Sequence, residues 1–144
     1  GVMLDFIYKP ELDKYVKRIT DHGEAKICYS TAIVTEQEDL EFVRPHMTYR
    51  LVDAPDSVKE AIGIKDEQVE IIKEAMSQGL NIAAKHVQDE WIKPFIIQGN
   101  IQQCREEIEE ICSTNGIDEF LVPMFEMADQ KKYLNQIAKI FSSS

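Results

Sequence analysis

Three short runs rich in β-branched and aromatic residues, GVMLDF (1–6), AKICYSTAIV (25–34) and IDEFLVP (117–123), each stand next to an amphipathic stretch in this chain. None has the length or the 3.6-residue periodicity of a helix, so each reads as a strand. Between the first two, Leu12, Tyr15, Val16 and Ile19 recur at helical spacing behind Pro10, at a favoured first-turn position, and the pattern stops near His22-Gly23. A second amphipathic stretch precedes the last run: Asn100 and Gln103 have the spacing of a capping box, and Ile101, Cys104, Ile108 and Ile111 make the buried face. Asn115-Gly116 ends that helix, Gly116 turning the chain into the strand that follows. Strands alternating with helices predict an α/β fold with a parallel sheet and right-handed crossovers. At 144 residues, one domain over 1–144 is expected.

Positions of about 36–94 read as a helical insertion in that alternation. EQEDLEFVRPHMTYRLV (36–52) is helical on both sides of Pro45, which is expected to start a new helix or kink this one. DAPDSVKEAIG (53–63) adds a short capped segment. In KDEQVEIIKEAMSQG (65–79), Asp66 is the expected N-cap, Val69, Ile72 and Met76 the apolar stripe, and Gly79 the stop. NIAAKHVQDEWI (81–92) is expected as one further helix running to Pro94, and a short apolar run follows at Phe95–Ile97. The insertion either covers something or is a packed excursion. At the end of the chain DQKKYLNQIAKIF (129–141) is expected to bury Tyr133, Leu134, Ile137 and Ile140 or Phe141, and the tail 142–144 is expected to be disordered.

Charge and chemistry narrow the function. A net charge of −10 with no basic stripe repels a phosphate backbone, so no nucleic-acid partner is expected. No apolar stretch reaches the roughly 18 residues of a membrane span, so no membrane partner is expected either. Three cysteines with no CxxC pair, Cys28, Cys104 and Cys112, point to reduced thiols and a cytoplasmic setting, with Cys104 a core residue. His22, His46 and His86 stand apart from one another and from the cysteines, so no metal site is expected. There is no Gly-rich phosphate loop, Walker sequence or nucleophile elbow. The apolar opening, without an initiator methionine, reads as entry in mid-strand.

Two stretches resemble one superfamily. GVMLDFIYKPELDKYVKRI looks like the segment of the luciferase-like flavin and deazaflavin oxidoreductases in which "ADGV" opens the sixth barrel strand and a helix begins near Pro-Glu. FIIQGNIQQCREEIEEICSTNGIDEFLVPMF is similar to their closing pattern, a Gly before the capping residue of the seventh helix and "aGvDeFvl-P" as the eighth strand. Here Gly99-Asn100-Ile101 keeps the cap without the usual proline, and Asp5 stands where an asparagine is common. The methylenetetrahydromethanopterin reductases are the nearest-looking branch. The resemblance implies the carboxyl-terminal part of a TIM (β/α)8 barrel, with about three parallel strands.

It also implies an oxidoreductase that passes a hydride between coenzyme F-420 or FMN and a small-molecule substrate, including monooxygenases, at the carboxyl ends of the strands. On this chain those ends are Asp5 and Phe6, Val34 and Thr35, and Pro123, Met124 and Phe125, the positional candidates for cofactor contact; no catalytic residue is assigned. The alternative is a catalytically incomplete, self-associating α/β module, most simply a homodimer, with little or no cofactor bound by this chain alone. A small doubly wound binding domain would need a polar or Gly-rich first loop, which the sequence lacks.

Overall fold

A strand whose side chains alternate between two environments pairs in one register only, and this fixes the sheet. The computed structural model describes residues 1–124, 127 and 129–142. β1 (Val2–Asp5), β2 (Ile27–Ser30) and β5 (Glu119–Leu121) form a parallel sheet in the order β1-β2-β5, with Met3 opposite Cys28, Cys28 opposite Glu119, and Ser30 opposite both Asp5 and Leu121. β3 (Ile33–Val34) and β4 (Ile97–Gln98) make a second, two-stranded parallel ladder. The helices are α1 (Leu12–Thr20), α2 (Gln37–Val52), α3 (Asp56–Ile62), α4 (Asp66–Met76), α5 (Leu80–Ala84), α6 (Asp89–Ile92), α7 (Ile101–Asn115) and α8 (Gln130–Phe141).

The contacts divide the chain into two compact units, one of residues 1–37 and 95–144, the other of Glu38–Pro94. In the first unit one face of the sheet carries the core: Leu4, Ile27 and Tyr29 are buried with Leu12 and Val16 of α1, and Phe120 and Ile111 pack against them. A second cluster joins Ile33 and Ile97 to Cys104 and Ile108 of α7 and Ile140 of α8. The Tyr133 hydroxyl donates to the Ile33 carbonyl oxygen at 3.0 Å, tying α8 to β3.

Gly116 closes α7 at φ 64°, ψ 40°, and the Ile117 N–H returns to the Cys112 carbonyl at 3.0 Å. At the other end of α7 the capping box is complete, Gln103 N–H donating to Asn100 Oδ1 at 2.8 Å and Asn100 N–H to Gln103 Oε1 at 2.9 Å. Both follow the expectation from sequence.

Other expectations are corrected. The run 25–34 is two strands, because after Ser30 the chain changes partner: the Thr31 hydroxyl donates to the Phe95 carbonyl, and Ala32 accepts from Ile97 N–H at 3.0 Å. Helix does run on both sides of Pro45, but no new helix starts there: it lies inside α2, where Leu40, Val43, Met47 and Leu51 are fully buried on both sides of it and outweigh one missing hydrogen bond. Lys65, not Asp66, is the N-cap of α4: Gln68 Oε1 accepts its N–H at 2.8 Å, and Asp66 sits in the first turn, where its charge suits the helix dipole. The segment 81–92 is split between α5 and α6, since the Val87 carbonyl accepts from Arg44 Nη1 at 2.7 Å. In β1 only Leu4 is buried, with Met3 57% exposed, and Leu134 of α8 is 46% exposed while Tyr133 and Ile140 are buried. Of the tail, Ser142 is exposed and hydrogen-bonded to Ala138; Ser143 and Ser144 lie outside the described residues.

Candidate functional site

In a parallel sheet all strand carboxyl ends lie on one side, and the loops there gather the residues that touch a ligand. Side chains two apart on a strand share a face. Leu4, Tyr29 and Phe120 point into the helix-packed core, so Met3, Cys28 and Glu119 form one row on the opposite face and Asp5, Ser30 and Leu121 the next row toward the carboxyl ends. In a closed barrel this is the inward face. It is mixed in chemistry: Glu119 pairs with Lys26 at 2.6 Å, and burial, then the Glu119 charge, push the Cys28 thiol pKa up.

The sequence candidates occupy distinct places around this row. Asp5 is exposed at the end of β1. Phe6 is buried and takes φ +48°, which costs a side chain about 1–2 kcal/mol. Its N–H donates to the Ser30 carbonyl at 2.8 Å, so the strain aims the chain out of the sheet just where strand becomes loop. Val34 is fully buried, its carbonyl accepting from Gly99 N–H at 3.1 Å, and the Thr35 hydroxyl donates to Gln136 Oε1 at 2.6 Å. Pro123 is half-buried and Met124 is 51% exposed, following β5; Phe125 lies outside the described residues. Register thus brings Asp5 beside Ser30 and Leu121, while Val34 and Thr35 belong to the separate β3–β4 ladder. Ser30 and Leu121 were missed, because the pairing register that puts them in the row is set by partner strands and not by their own runs.

Gly99 stands between β4 and α7 at φ 147°. A Cβ there would lie 2.7 Å from Gln103 Oε1, the atom that closes the capping box. Two lysines of the first unit are already paired, Lys9 with Glu107 at 2.6 Å and Lys132 with Glu36 at 2.8 Å. Cys104 is fully buried in α7, and its pKa is pushed up to about 11 by burial and then by the Glu107 charge. Burial, with the Glu107 and Cys112 charges, also raises that of Tyr29. Both are neutral core groups at physiological pH. Among the described residues no three His, Cys, Asp or Glu side chains gather as metal ligands, and no helix is long and apolar enough to cross a membrane.

No family model and no curated protein matches the sequence. Among solved structures the chain is similar to a coenzyme F-420-dependent tetrahydromethanopterin reductase from Methanopyrus kandleri, at 24% identity and a TM-score of 0.72, over 95% of this chain. The match covers 43% of that reductase, a span consistent with a carboxyl-terminal part. The fold is therefore that of part of a TIM barrel, with three parallel strands in one sheet.

Proposed function

We propose that this chain forms the carboxyl-terminal part of a deazaflavin- or flavin-dependent oxidoreductase barrel, in which a hydride passes between the reduced ring and a small-molecule substrate. The observation that carries the reading is the row Asp5, Ser30 and Leu121 at the carboxyl ends of parallel strands, in a fold shared with an F-420-dependent reductase. The chain's part would be a wall of the pocket, setting its shape and limiting water beside the reacting carbon.

The described donors are not expected to hold an anionic cofactor by themselves. Asp5 offers a negative charge, the Thr35 hydroxyl already donates its hydrogen bond to Gln136, and Lys9 and Lys132 are paired with carboxylates. The ring and its phosphate need groups from further βα units.

Fluorescence titration tests both statements. The 144-residue chain alone is expected to show no saturable binding of coenzyme F-420 or FMN at low micromolar concentration. A chimera in which it replaces the matching part of the Methanopyrus kandleri reductase is expected to bind F-420 saturably. A chimera that is folded by circular dichroism yet binds nothing would sink the reading. Saturable binding by the chain alone would overturn the donor-set argument and leave the barrel assignment standing.

A second reading, a self-associating α/β module without redox chemistry, draws on the exposed Val2 and Met3 at one edge of the sheet and Leu121 at the other.

A further inference from the structure

One residue beside the candidate site stands in a conformation that its side chain resists. Among the described residues Phe6, directly after β1, is the one non-glycine residue with a positive φ, +48°, and it is buried. A bulky side chain is rare in that region, which glycine and asparagine enter readily. Burial alone does not require it, since Leu4 and Tyr29 are buried from ordinary strand backbone in the same unit. The left-handed turn instead redirects the chain at the end of β1, and the redirected segment is held residue by residue. The Phe6 N–H donates to the Ser30 carbonyl at 2.8 Å, and Ile7 packs on the cluster of Leu4 and Leu12. The Tyr8 ring lies 5.6 Å from that of Phe95, and Lys9 pairs with Glu107 of α7 at 2.6 Å. Surroundings that over-determine a turn in this way are the condition under which backbone strain persists.

Ser30 lies on the central strand, and Phe95 and Glu107 belong to the first unit, so the turn is fastened from within that unit and not from an edge of the sheet. Strain held like this recurs where a ligand must meet groups already in place. Here it sits between Asp5, in the row with Ser30 and Leu121, and the loop that leads to α1. We propose that Phe6 is a positioning residue of the candidate site: its left-handed backbone fixes Asp5 and residues 7–9 beside that row, so that a ligand at the strand ends meets them preformed. The ring contributes packing, the backbone contributes the placement. Phe6 has this role only if those strand ends face the ligand, as proposed above.

Two substitutions pull backbone and packing apart. Phe6→Gly deletes the whole ring but enters the left-handed region freely; Phe6→Val keeps part of the apolar volume but is stiff at its branched Cβ and resists that region. A residue that only packs is hurt more by glycine, a residue that positions is hurt more by valine. In the 144-residue chain, amide exchange at positions 6–8 is expected to quicken at least about tenfold in Phe6→Val, relative to the middle of α7, and less in Phe6→Gly. In the chimera with the Methanopyrus kandleri reductase, folded by circular dichroism, Phe6→Val is expected to weaken coenzyme F-420 binding at least about tenfold and Phe6→Gly by no more than about threefold. If Phe6→Val does not fold, Phe6→Ala takes its place, one methyl larger than glycine and still resisting the left-handed region. An unaltered chimera that binds F-420, with Phe6→Gly binding more weakly than Phe6→Val or both binding as tightly as the parent, overturns the positioning role and leaves the oxidoreductase reading standing. An unaltered, folded chimera that binds nothing overturns that reading and the positioning role with it.

Discussion

Replacing Gly116 isolates a backbone energy with almost nothing else attached. Its φ of 64° and ψ of 40° lie in the left-handed region, and a Cβ built there meets no atom within 4 Å. Steric collision with neighbours therefore contributes nothing. The cost of Gly116→Ala is the left-handed penalty of a side chain, about 1–2 kcal/mol. From this is subtracted about 0.4–1 kcal/mol for the stiffer unfolded chain. The net is a loss of about 1 kcal/mol, or about 3–4 °C in melting temperature for a chain of this size. Asparagine, which enters this region more readily, is expected to lose less; valine, stiff at its branched Cβ, more. Thermal unfolding followed by circular dichroism gives the order Gly, Asn, Ala, Val. Equal melting temperatures for all four would refute the argument, because beyond that smaller unfolded-state gain nothing offsets the backbone penalty.

Three further outcomes are expected. Tyr133→Phe removes the buried hydrogen bond to Ile33 and should cost about 1 kcal/mol in urea unfolding, leaving an acceptor without its donor. Arg44→Met removes the guanidinium that holds Glu41, Asp89 and the Val87 carbonyl, and should destabilise the Glu38–Pro94 unit by about 1–3 kcal/mol, with faster amide exchange in α6. Cys104 is raised from an ordinary value of 9.0 to about 11, so the folded state holds its proton more tightly; its contribution is complete below pH 9 and lost as pH climbs toward 11. Unfolding midpoints across that window should fall less steeply in Cys104→Val.

What could be read in the sequence was whatever is decided within a few residues. The capping box at Asn100 and Gln103 and the left-handed Gly116 are local chemistry, and both stand where the pattern put them. The parallel order of β1, β2 and β5 was legible because strand and helix periodicities alternate cleanly on either side of the insertion. Misread features depend on distant partners. The break after Ser30 is made by Phe95 and Ile97, more than sixty positions on, and the gap between α5 and α6 by Arg44. Leu134 matches the helical spacing of its neighbours Tyr133 and Ile137 yet lies on the exposed flank, because only the stripe of Tyr133, Ile137 and Ile140 faces the cluster around Ile33. At the candidate site, the strand ends were identified by position, but pairing register alone decides that Ser30 shares a row with Asp5 while Val34 is buried in the other ladder.

The two-residue pairing of β3 with β4 acts as a clasp on everything between them. Ile33 and Val34 lie just before the excursion to Glu38–Pro94, Ile97 and Gln98 just after it, and the Thr31–Phe95 hydrogen bond adds a third tie. With both ends of that excursion pinned inside the first unit, lengthening it adds only loop-closure entropy, about 0.6 kcal/mol for each doubling. Changes in the length of that excursion are therefore expected to leave the pairing of β3 with β4 in place. The four paired residues at its neck hold both ends of the excursion in one place, whatever lies between them.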